Sequence, residues 1–304
     1  MLSATLPPQA AGLTVLPFTL STGEPYPVGY LRGHLPWPTD GAPAKVLVYC
    51  AGLAGTANAV VPFLEGLQPR YHALIGVDFR SFGRHKGELP PTWQRFVPDV
   101  TEVIKALPAL LADADPDTCH VASFKVDICA ISLGAVVMTH VVHGLQRPNA
   151  LPNNLTLGQL TLLAPAFEPH PQAFGLWFTL RHVAKWLFNP THATMQIPYG
   201  AKELSRRIEN VPNTFHQPVV LPVRLLLGTR LLSLQAVGLA SKLRCPTHVV
   251  VPLADVVCCP KAMRRFYEQL PDAIGHPHRL TELPYAYHDV LLDPADYQPI
   301  LHHW

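Results

Sequence analysis

Short apolar runs recur along the chain, with amphipathic stretches between them. Val46–Cys50, Ala73–Val77, Val126–Ile131, Gln159–Leu163, Thr247–Val251 and Arg279–Leu283 read as strands. The first of these is apolar throughout, as a parallel strand buried on both faces is. The stretch after it, with Val60, Val61, Phe63, Leu64 and Leu67 apolar, reads as a helix. So do Val97–Leu111, the residues after Ser132, Pro260–Leu270 and Asp289–His302. Leu13–Leu20 and Tyr26–Arg32 form an opening hairpin around Ser21-Thr22-Gly23-Glu24-Pro25. Alternating buried strands and helices predict an α/β fold, a mostly parallel central sheet with helices on both faces.

The alternation stops after Ala164-Pro165 and resumes near Leu243. Between them lie Phe174, Trp177, Phe178, Trp186 and Phe188, then a leucine-rich stretch from Leu225 to Leu239. The expected division is a core of residues 1–165 and 243–304 with a helical cap insertion, 166–242. The insertion leaves the sheet at the C-terminal ends of its strands, the edge where open α/β sheets bind ligands. Phe174, Trp177 and Phe178 are therefore candidate substrate-binding residues.

Composition narrows the function classes. The chain has 304 residues, 48% hydrophobic and 14% charged, which excludes disorder. Net charge is +2 with basic residues scattered, so no nucleic-acid surface is expected. The six cysteines contain no Cys-x-x-Cys pair, and no stretch has the length and apolarity of a membrane span. The N-terminus lacks the form of a signal peptide, so a cytoplasmic location is expected.

Chemistry concentrates at Ala130-Ile131-Ser132-Leu133-Gly134. A serine between a strand and a helix, with small residues two places before and after, has the form of a nucleophile elbow. The tight turn pushes the hydroxyl out of the sheet and presents the Leu133 amide to a developing oxyanion. A serine hydroxyl needs a base, and the base needs an acid to orient it. His288 follows Arg279–Leu283 and Asp255 follows Thr247–Val251, both at strand C-termini on the edge that carries Ser132. Glu168, after Gln159–Leu163, is a rival acid, whereas Asp289 is expected to cap the final helix. The loop Ala51-Gly52-Leu53 would supply the second oxyanion donor, the Leu53 amide. No metal and no cofactor are required.

These motifs resemble the α/β-hydrolase superfamily, within it the monoacylglycerol lipase and lysophospholipase-like group, also called serine aminopeptidase S33-type. Ala51-Gly52-Leu53 stands where the family has His-Gly-x. Asp78-Phe79-Arg80-Ser81-Phe82-Gly83-Arg84 stands at Asp-x-Arg-Gly-x-Gly-x-Ser. Cys245-Pro246-Thr247 leads to the acid Asp255, and Tyr287-His288 replaces Gly-His. The resemblance implies an α/β-hydrolase fold with a lid. It also implies a serine hydrolase that cleaves medium- or long-chain acyl esters, of monoacylglycerol or lysophospholipid type, through an acyl-enzyme. Tyr287, where a small residue is usual, would narrow the site. The partner implied is a small-molecule acyl ester, and the apolar cap offers a surface for peripheral membrane contact. Thioester or peptide cleavage by the same residues, and ligand binding without turnover, are the alternatives.

Overall fold

The computed structural model describes residues 12–53, 55–80, 82–85, 93–169, 194–197, 219–255, 257–271, 277–302 and 304. The apolar runs form the strands expected of them. They are β1 (Thr14–Leu16), β2 (Val28–Arg32), β3 (Ala44–Cys50), β4 (Ala73–Val77), β5 (Phe124–Ile131), β6 (Leu155–Leu163), β9 (Thr247–Pro252) and β10 (Arg279–Leu283). They make one sheet in the order β1-β2-β4-β3-β5-β6-β9-β10. β2 is antiparallel to β1 and to β4, and the remaining pairs are parallel. β3 lies between β4 and β5, so the chain leaves it toward one edge and later returns to its other side. That reversal opens a crevice at the C-terminal ends of β3 and β5.

Burial explains the strand sequences. Val46, Leu47 and Val48 on β3 are wholly buried, as are Ala73 and Ile75 on β4. Each large apolar side chain of this kind contributes about 1.5–3 kcal/mol through removal from water. The helices are α1 (Val61–Leu67), α2 (Phe96–Lys105), α3 (Leu107–Ala114), α4 (Leu133–Leu145), α5 (Val223–Val237), α6 (Pro260–Glu268) and α7 (Pro294–His302). α4 is buried almost all round because it lies against the sheet and also contacts α2 and α5.

Three expectations about elements are corrected. Val97–Leu111 is two helices, broken at Ala106, because Pro108 has no amide to continue the first and instead occupies the opening turn of the second. The last helix begins at Pro294, not Asp289, and Asp293 caps it by accepting from the Ala295 amide at 2.9 Å. The segment expected to be helical also contains strands. β7 (Thr194–Ile197) and β8 (Val219–Pro222) pair as an antiparallel ribbon that runs into α5.

Candidate active site

Ser132 occupies the turn between β5 and α4 with φ 56° and ψ −122°. A side chain here is strained, and the surroundings hold it in place. The Ser132 amide donates to the Leu163 carbonyl at 3.0 Å, and its own carbonyl accepts from the Ala166 amide at 3.1 Å. Gly134 permits the close approach of α4 to β3. A Cβ there would stand 2.5 Å from the Cys50 carbonyl oxygen and closer still to that of Ala51. Gly52 lies on the opposite side, where a Cβ would be 3.0 Å from that of Ser132. Two of the small residues singled out in the sequence therefore sit where larger ones would collide.

The Ser132 hydroxyl lies 2.9 Å from Nε2 of His288, and His288 Nδ1 lies 2.8 Å from Oδ2 of Asp255. With Nδ1–H donating to the carboxylate, Nε2 is left as the acceptor for the serine proton. Oδ1 of Asp255 accepts from the amides of Val257 at 2.7 Å and Cys258 at 2.8 Å, which fixes the carboxylate plane. The loops bearing the acid and the histidine are tied together. Leu253 donates to the Leu283 carbonyl at 2.9 Å and Ala254 to that of Ala286 at 3.1 Å. Burial opposes a charge on His288, and the adjoining Cys258 and Asp255 outweigh it, so its pKa lies well above the ordinary value. Burial also pushes the Cys258 thiol up, which keeps it a neutral thiol at neutral pH. The carboxylate is therefore the charge that favours the imidazolium.

The structure thus brings Ser132, Asp255 and His288 together. Glu168 is not at the histidine: it pairs with Arg265 at 2.5 Å. Leu53 lines the cleft beside Ser132. Among the described residues, neither its amide nor that of Leu133 donates a hydrogen bond. Tyr287 is partly buried beside the base. Phe174, Trp177 and Phe178 lie outside the described residues. The Asp-x-Arg loop serves structure. Asp78 accepts from the Ala57 amide at 2.7 Å and pairs with Arg84 at 2.8 Å, while Arg80 pairs with Asp99 at 2.6 Å.

Two residues at the site were missed. Cys258 is buried against His288, and a ligating atom of each of Asp255, Cys258 and His288 lies within 4.8 Å of the others. The spacing from the acid was its only signal. Asp289 lines the cleft that holds Ser132, together with Tyr49, Gly52, Leu53, Thr56, Leu291 and Leu292.

A family profile described as serine aminopeptidase, S33, matches residues 41–295. The chain belongs to the serine aminopeptidase S33 family. This S33 hydrolase is similar in fold to a soluble variant of monoglyceride lipase from Saccharomyces cerevisiae in complex with a substrate analog. The TM-score is 0.70 at 13% identity, over 99% of this chain and 96% of that one. The monoacylglycerol lipase of Paleococcus ferrophilus gives 0.63 at 15% identity, over 91% and 95%. Mouse alpha/beta hydrolase domain-containing protein 10 gives 0.61 at 15% identity, over 95% of this chain and 96% of that one. No curated protein matches the sequence.

Proposed function

We propose that this S33 hydrolase is a serine carboxylic-ester hydrolase that works through an acyl-enzyme on Ser132. The supporting observation is the unbroken line of contacts from the Ser132 hydroxyl through His288 to Asp255. In this reading His288 Nε2 takes the hydroxyl proton as Oγ attacks the ester carbonyl carbon. The amides of Leu53 and Leu133 receive the developing oxyanion. The carbon–oxygen bond then breaks, and His288 gives its proton to the departing alkoxide. Water repeats the sequence on the acyl-enzyme: its proton passes to His288, the acid leaves, and Ser132 regains a proton. Asp255 holds the imidazole tautomer and stabilises its charged form.

The substrate is a small-molecule acyl ester of medium or long chain. The apolar cleft walls at Leu53, Val60, Ile131, Leu291 and Leu292 support an acyl substrate. Leu227, Leu231 and Leu234, exposed by 44%, 44% and 57%, form one stripe of α5 and suit contact with a lipid surface. Among the described residues no helix is long and apolar enough to cross a membrane.

A series of p-nitrophenyl esters tests the reading. Turnover of the longer acyl chains, lost in Ser132→Ala together with fluorophosphonate labelling, is expected. Labelling that persists in the variant would overturn it.

A further inference from the structure

Asp289 follows the base directly, and the proposed ester hydrolysis gives it no task. It does not cap α7, since Asp293 does. Its carboxylate makes no hydrogen bond or ion pair with any described residue, yet it lines the cleft beside Ser132. It is partly buried, with Leu53, Leu291 and Leu292 among the residues lining the same cleft. Burial raises its pKa, His288 lowers it, and the like charge of Asp255 raises it further. Neither lysine nor arginine is among the described residues lining the cleft. A partly buried carboxylate without a partner gains from a cation or hydrogen-bond donor that reaches it.

Position decides which part of the substrate does so. Nε2 of His288 protonates the leaving oxygen, so the leaving alcohol lies on the imidazole side of the reacting carbon. Asp289 adjoins His288 in the chain and lines the same cleft with Leu291 and Leu292, which puts it with the imidazole. The acyl chain departs the reacting carbon in another direction.

We propose that Asp289 selects the leaving group, and that the cleft takes acyl esters whose alcohol carries an ammonium group. The inference rests on the ester-hydrolase reading and narrows it. A cationic alcohol places its charge against the Asp289 carboxylate. A leaving group bearing a phosphate is repelled by it, which excludes lysophospholipids and coenzyme A thioesters as good substrates. A neutral alcohol lies between the two.

The test compares octanoyl esters of matched shape: the choline ester and its uncharged carbon isostere, 3,3-dimethylbutyl octanoate. Tetramethylammonium serves as a separate binding probe, read by calorimetry. The expected wild-type preference in kcat/KM for the charged ester is about tenfold or more, the scale of a charge-assisted contact in a partly buried site. In Asp289→Asn the preference falls to near one and tetramethylammonium binding is lost. Asp289→Glu, which keeps the charge, retains both, and so separates loss of charge from loss of folding. A wild type that treats the two esters alike overturns the proposal. So does an Asp289→Asn variant that slows both by one factor, since Asp289 would then act on His288 and not on the substrate. If no ester is turned over, the ester-hydrolase reading fails by itself. The probe then still decides: binding that depends on Asp289 upholds a cation site, and binding indifferent to it removes one.

Discussion

The strain at Ser132 can be measured by removing the hydroxyl in two ways. Ser132→Ala and Ser132→Gly both delete Oγ and its contact with His288 Nε2. They differ only in the Cβ. At φ 56° and ψ −122° a residue with a Cβ stores about 1–3 kcal/mol, and glycine does not. Against this, glycine gains about 0.5–1 kcal/mol more freedom than alanine in the unfolded chain. The balance makes Ser132→Gly more stable than Ser132→Ala by about 1 kcal/mol. That is the reverse of the order at an unstrained position. In a chain of this length it corresponds to about 2 °C in Tm. Urea unfolding at equilibrium, with equal slopes for the two variants, is the assay. An alanine variant as stable as the glycine one, or more so, would refute the claim that the turn is strained.

Two further perturbations follow from charges at and near the site. The base works only when unprotonated, and its pKa is raised above the usual 6.5, so kcat/KM falls on the acid side with a midpoint above 6.5. Asp255→Asn leaves burial to act against the imidazolium, so this midpoint moves to lower pH while kcat drops by about 10³–10⁴; an unmoved midpoint would contradict the assignment. Asp78→Ala leaves the Arg84 guanidinium, whose side chain is 7% exposed, without its counter-charge and with Asn58 as its remaining partner among the described residues, and frees the Ala57 amide. Calorimetry should show a loss of about 3–5 kcal/mol, and a loss under 1 would show that the pair does not hold the loop.

The middle of the sheet was legible because β4 and β9 are buried on both faces and β3 nearly so, and each reads as an apolar run, whereas the edge strand β10 is at least partly exposed except at Leu283. Ser132, Asp255 and His288 were legible because each follows a strand, and the C-termini of parallel strands share one edge whatever the sequence distance between them. Helix limits were less so. Pro108 splits α2 from α3 without breaking the apolar period, and the interval from Asp289 to Asp293 carries leucines that belong to the cleft wall and not to a helix. The role of Asp289 was hidden for that reason: a carboxylate ahead of a helical pattern resembles a cap until Asp293 is seen to be one. Cys258 was hidden because its meaning lies in contact with His288, across a separation that no local pattern records.

Rapid-quench mass spectrometry during turnover of a p-nitrophenyl ester tests the central claim most directly. The account predicts a burst of p-nitrophenol equal to the enzyme present, with one acyl group on the peptide containing Ser132. Turnover with the acyl group on Cys258 or Cys259, or undiminished turnover by Ser132→Ala, would contradict it.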